Sequence, residues 1–200
     1  VASRRLAWLS RFGATIILGA CMLVQGHAAA PRAALSLHQQ ACAACHGMDG
    51  NAPLEGVPSL AGQPAVFIET QLVYIREGLR EVPSMQGVVQ SLTDSEITLL
   101  SRWYAAQPTR SQKAPRNAAA FARGQTLAQK ALCGTCHMPQ YQGQQQVPRL
   151  SGQREEYLQA TMTLMRSGKA AGRDTIMTTA LDGLNAQDLN DLAHYFAQRD

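Results

Sequence analysis

Four cysteines and two histidines carry the chemistry that this 200-residue sequence can do. Cys42-Ala43-Ala44-Cys45-His46 and Cys133-Gly134-Thr135-Cys136-His137 each set two thiols three positions apart, with a histidine directly after the second. Two thiols one helical turn apart reach the two vinyl groups of a single porphyrin, and the adjoining imidazole then lies under the iron. This is the attachment signal of a c-type haem, and its duplication predicts two haem c groups. Cys42, Cys45, Cys133 and Cys136 are the expected thioether anchors, and His46 and His137 the expected proximal ligands. Three other uses of the same residues fit less well. A redox dithiol needs no fixed histidine and normally sits among alternating strands and helices, a pattern not seen here. A single zinc would have to gather ligands across the 87 residues between Cys45 and Cys133, far beyond zinc-ribbon spacing. Two structural disulfides would leave the paired histidines unexplained.

An iron held by one histidine is either open, for catalysis or gas binding, or closed by a second ligand, for electron transfer. Met85 follows His46 by 39 residues and Met177 follows His137 by 40, so both are expected as the distal sulfur ligands. Each is expected in a non-helical stretch, Val82-Pro83-Ser84-Met85 and Asp174-Thr175-Ile176-Met177. Met48 and Met138 come too soon after the proximal histidine to reach across a ring. Met162 and Met165 answer to Leu72 and Ile75, which points to core packing. His38 and His194 have no counterpart in the other copy and read as solvated or packed rather than ligating. Pro58 and Pro148 are placed to offer a backbone carbonyl to the far nitrogen of each proximal ring.

The repeat extends well past the cysteines. Val57-Pro58-Ser59-Leu60-Ala61-Gly62-Gln63 returns 90 positions later as Val147-Pro148-Arg149-Leu150-Ser151-Gly152-Gln153. Beyond Gly78 and Gly168 the offset becomes 92, pairing Met85 with Met177, Leu100 with Leu192 and Trp103 with Tyr195. A polar segment bracketed by Pro108 and Pro115 separates the copies and reads as a linker. The expected domains are 33–108 and 117–200, joined by 109–116. Within each copy the periodicity is helical. A short helix leads into each haem motif, around Leu35 to Ala44 and Phe121 to Thr135. A second starts near Pro64, carries Phe67, Ile68, Leu72 and Ile75, and stops at Gly78; its partner carries Tyr157, Leu158, Met162 and Met165 before Gly168. The last helix opens with the capping box Thr93-Asp94-Ser95-Glu96, and its partner starts at Asn185. No alternating strand pattern stands out, so the expected fold is all-α: two tandem domains, each wrapped around a haem that fills much of a small core.

Eighteen Lys plus Arg against 14 Asp plus Glu give a formal charge of +4. Arg4, Arg5 and Arg11 supply three of those charges within the first 28 residues, which carry no acid, so the remainder is nearly neutral and offers no basic face for nucleic acid. Those arginines precede the apolar run from Phe12 to Val24 and the small residues ending at Ala28, the order of a secretory signal over 1–28. Export to the periplasm follows. Leu18-Gly19-Ala20-Cys21 also resembles a bacterial lipobox, the alternative being a membrane tether through Cys21. Residues 33–108 carry a net −4 and 117–200 a net +1, a dipole that would orient encounters with partners at low salt.

Two C-x-x-C-H units, paired Pro-x-Leu-x-Gly-Gln segments and downstream Met85 and Met177 resemble the two-haem class I cytochromes of the cytochrome c4 type. The resemblance covers about Leu35 to Asp200. It implies two cytochrome c folds, each with His–Met iron, in a periplasmic carrier that moves electrons between redox proteins: a terminal oxidase, a quinol-oxidising complex or a dehydrogenase. It implies no catalytic residue. The rival readings are a dedicated cytochrome subunit of a dehydrogenase and a dihaem peroxidase with one open iron. One departure from the family pattern is visible. The first haem motif runs on into Gly47-Met48-Asp49-Gly50, whereas the second continues as Met138-Pro139-Gln140-Tyr141, without the glycine pair.

Overall fold

A computed structural model describes residues 29–110 and 116–199. The expected signal segment with Cys21, and most of the expected linker, lie outside the described residues. Ten helices run through the described part, five in each half, and no strand is present there beyond an isolated bridge between Gln144 and Val147.

The first half holds α1 (Ala29–Ala41), α2 (Ala43–His46), α3 (Ala65–Arg76), α4 (Pro83–Val89) and α5 (Asp94–Ala105). The second repeats them as α6 (Ala118–Lys130), α7 (Cys133–His137), α8 (Glu155–Arg166), α9 (Thr175–Ala180) and α10 (Ala186–Ala197). Local chemistry sets their ends. Pro64 precedes the first residue of α3 and Gly78 closes the turn after it at φ 71°, a left-handed value that costs glycine nothing. Thr93 caps α5 reciprocally with Glu96, as the sequence predicts. Asn185 and Asp188 do the same for α10, with short side chains in both roles, which is why the pattern was less visible there.

Each half has its own core. Ile68, Leu72, Ile75, Val89, Ile97, Leu100 and Tyr104 form the first; Leu158, Met162, Leu181, Leu189, Leu192, Tyr195 and Phe196 belong to the second. In both, the last helix crosses the first: α5 on α1, and α10 on α6. At the second crossing a Cβ on Gly124 would lie 2.1 Å from the Asp191 carbonyl oxygen, so only glycine lets the helices approach this closely. Asp191, beside the crossing, is itself buried and takes two hydrogen bonds from Arg123, at 2.6 and 2.8 Å. Those bonds hold the Asp191 carboxyl below its ordinary value of 3.8, more than offsetting the opposite effect of burial. A depressed carboxylate stabilises the fold at pH values above its unfolded pKa, and that contribution is lost as pH falls through the folded value. Asp191→Asn is therefore expected to be less stable than the parent at pH 7, with the gap closing as pH falls below the ordinary carboxyl value of 3.8 and through the lower folded one. Denaturant midpoints measured across that range check it.

Two expectations about the elements need correction. Met85 and Met177 are not in non-helical stretches. Each lies inside a short helix, α4 or α9. Pro83 occupies the first turn of α4, and the Asp174 side chain accepts from the Ile176 backbone N–H to start α9. Helices of seven and six residues show too few turns for a hydrophobic period to be read. The helix leading into each haem motif is also broken rather than continuous, at Cys42 in the first half and at Ala131–Leu132 in the second, where Leu132 takes φ 54°.

The missing glycine pair has a structural consequence. Gly47 and Gly50 adopt φ of 79° and 78°, and their counterparts Met138 and Tyr141 adopt 71° and 55°. Met138 shares the ψ of 158° found at Gly47, a region that side chains avoid. Replacing Met138 with glycine is expected to stabilise the second half by about 1 kcal/mol, strain relief of ~1–3 kcal/mol less the added chain entropy of glycine. Thermal unfolding of Met138→Gly against the parent measures this directly.

Candidate haem-binding sites

The two halves build the same constellation. The short helices α2 and α7 carry Cys42-x-x-Cys45-His46 and Cys133-x-x-Cys136-His137. In each, the first cysteine is half-buried against its core and the second is exposed, and no disulfide joins any of the four. Burial pushes the Cys42 and Cys133 thiols above their ordinary range. His46 and His137 are both buried, and burial lowers both imidazoles, which keeps them neutral.

Each ring is fixed from behind. His46 Nδ1 lies 2.9 Å from the Pro58 carbonyl oxygen and His137 Nδ1 lies 2.8 Å from that of Pro148. A carbonyl can only accept, so Nδ1 carries the proton and Nε2 is left as the nitrogen able to bind a metal. The prolines sit in loops held identically in both halves. Leu60 N–H donates to the Gly50 carbonyl at 2.7 Å, and Leu150 N–H to that of Tyr141 at 2.8 Å. Gly62 N–H donates to the Tyr104 carbonyl at 2.9 Å, and Gly152 N–H to that of Phe196 at 3.0 Å. The last helix of each half thereby positions its proximal loop.

Met85 packs against the same core as Cys42, and Met177 against the same core as Cys133. Each half thus brings its cysteine pair, histidine and methionine to one body. The remaining sulfurs divide as expected from the sequence: Met162 is buried in the second core, Met165 packs on its edge, and Met48 is exposed. His38 is fully buried, with Nδ1 2.6 Å from the Tyr104 hydroxyl and its ring 4.5 Å from that of Trp103. His194 is also packed, between Glu155 Oε2 at 3.0 Å and the Asn117 N–H at 3.1 Å.

A polar feature missed in the sequence lies between the halves. Arg80 is buried, donates to Gln71 Oε1 at 2.6 Å, and has no hydrogen-bond partner for Nε. Burial pushes the Tyr157 phenol up, but Arg173 and Arg80 outweigh it and leave the group below its ordinary value. A cationic cluster of this kind suits the carboxylates of a porphyrin. The donor set as a whole fits the group: paired thiols, neutral imidazoles presenting Nε2, a thioether in each core, and buried guanidinium. Among the described residues no three His, Cys, Asp or Glu side chains gather as a separate metal site.

Comparison with known proteins accords with this construction. Residues 121–200 match the family model described as cytochrome c, and residues 29–103 the one described as cytochrome c oxidase, cbb3-type, subunit III. Cytochrome c4 of Pseudomonas aeruginosa is 30% identical over 178 residues, spanning 84% of this chain and 89% of that protein. The chain belongs to the cytochrome c4 family. The crystal structure of reduced cytochrome c4 from Pseudomonas stutzeri superposes with a TM-score of 0.78 at 27% identity, covering 85% of this chain and 98% of that one. A thiosulfate dehydrogenase electron acceptor of Thiomonas intermedia is 33% identical, over 72% of this chain and 69% of that protein. As a cytochrome c4 family member the protein is a two-domain, all-α, dihaem electron-transfer cytochrome with two covalently bound haem c groups.

Proposed function

We propose that this cytochrome c4 is a periplasmic shuttle with both irons closed by His–Met pairs, moving single electrons between respiratory partners without acting on a substrate itself. The observation that carries the reading is the duplication of the whole constellation: each proximal ring is locked by a proline carbonyl, and each half places one methionine at the equivalent point of a short helix against the cysteine-bearing core. The bound haem supplies reversible one-electron exchange between ferric and ferrous iron. Cys42 and Cys45 would anchor the first group, with His46 and Met85 as the residues that would hold its iron; Cys133 and Cys136 would anchor the second, with His137 and Met177 holding its iron. The proline carbonyls orient the rings and raise their basicity. Two thioethers on rigid elements suit an iron that must change charge with little movement, and disfavour the open position that a peroxidase needs. Residues 1–28 direct export, with Cys21 as the point of any lipid tether.

The partners proposed are redox proteins: a terminal oxidase, a quinol-oxidising complex or a dehydrogenase. The relative described as a thiosulfate dehydrogenase electron acceptor supports a dehydrogenase of a sulfur compound as donor. No helix among the described residues is long and apolar enough to cross a membrane. Mass spectrometry of the exported protein tests the anchors. Two haem adducts are expected for the parent and one for a Cys133→Ala/Cys136→Ala variant; two adducts in that variant would overturn the assignment.

A further inference from the structure

The proline carbonyls that hold the proximal rings belong to peptide groups whose other ends reach across the molecule. The Pro58–Ser59 peptide accepts from His46 through its oxygen, while its N–H donates to Gln153 Oε1 of the second half at 2.7 Å. Gln153 Nε2 returns a bond to the Ser59 carbonyl at 2.8 Å. The mirror arrangement is complete. The Pro148–Arg149 peptide accepts from His137, its N–H donates to Gln63 Oε1 at 3.0 Å, and Gln63 Nε2 donates to the Arg149 carbonyl at 2.9 Å. Gln63 and Gln153 are both nearly fully buried, at 4% exposure each. Each glutamine is held by its own loop, where its backbone N–H bonds to the Leu60 or Leu150 carbonyl at 3.2 Å.

The geometry points to Gln153 as a positioning residue for His46, and to Gln63 as one for His137, so that each half tunes the haem of the other. A peptide group bonded at both ends is more polarised than one bonded at a single end. Accepting the Ser59 N–H therefore makes the Pro58 oxygen a stronger acceptor from His46 Nδ1. That strengthens the imidazole as a donor to iron, favours the ferric state and lowers the potential of that haem. The two glutamines also dock the halves, so assembly and redox tuning use the same atoms. This inference rests on His46 and His137 being the proximal ligands.

The test is a redox titration of the dihaem protein carrying Gln153→Leu or Gln63→Leu, with the two haems told apart in the ferrous state by the Nδ1 proton signals of His46 and His137. Gln153→Leu is expected to raise the potential of the haem on His46 and leave the other in place; Gln63→Leu is expected to do the reverse. Equal shifts of both haems, shifts confined to the glutamine's own half, or no shift would overturn the inference. Hydrogen exchange in the unsubstituted protein reads the same bonds without a variant. The Ser59 and Arg149 amides are expected to be strongly protected, and exchange at the rate of open loop amides would contradict the relay. Absence of histidine-ligated haem from the parent would overturn the ligation itself; two low-spin haems with an uncrossed response would overturn only the tuning.

Discussion

Met85→His is expected to leave its haem low-spin while lowering that haem's reduction potential by about 0.2 V, a fraction of the ~0.8 V that axial ligands span. A thioether is a weak donor that tolerates ferrous iron, whereas a second imidazole donates more strongly and favours the ferric state. The substitution falls on α4, a helix fixed by Pro83 at its first turn and packed on the first core, so the new ring arrives from the same direction as the sulfur. Met177 lies against the other core, and the second wave of the titration should stay within the small change caused by the altered charge next door. Half of the far-red sulfur-to-iron absorption should vanish. A titration in which both waves stay put, or in which the far-red band survives whole, would remove Met85 from the iron. Met177→His should give the reciprocal pattern.

The other large effect is mechanical. Gly124→Val is expected to destabilise the second half by about 3 kcal/mol or more, at the upper end of overpacking costs. A Cβ at that position would meet the Asp191 carbonyl at 2.1 Å and the Tyr195 Cβ at 2.6 Å, and neither can swing aside as a flexible side chain would. The helices must separate instead. That loosens Leu189, Leu192 and Phe196, and moves the Phe196 carbonyl that holds Gly152 in the proximal loop. Denaturant unfolding followed at the haem bands should show a lowered midpoint, with the ligation of the second haem changing first while both haems stay covalently attached. A variant as stable as the parent would mean that the crossing is looser than described.

Much of this site was readable from residue types because covalent chemistry demands fixed spacing. Cys42, Cys45 and His46 announce their partner group whatever the tertiary fold, and the second copy repeats the message. Duplication also singled out Met85, Met177, Pro58 and Pro148, since matching places in two copies filter out chance. The short helices around the methionines were not legible, because six or seven residues carry no period and depend on Pro83 and Asp174 for their start. The repeated Gln63 and Gln153 were visible as a pattern, but their bonds cross between halves, and nothing local records how two domains dock. The same holds for Arg80, which reads as an ordinary surface arginine until packing buries it.

The central claim is that both irons are closed by sulfur and serve only to exchange electrons. A redox titration of the purified protein, following the haem bands and the far-red band of the ferric state, tests it most directly. Two one-electron waves, both from low-spin haem and both with the sulfur-to-iron absorption, are the predicted result. A high-spin component, or one haem lacking that band, would contradict the account and point to an iron open for catalysis.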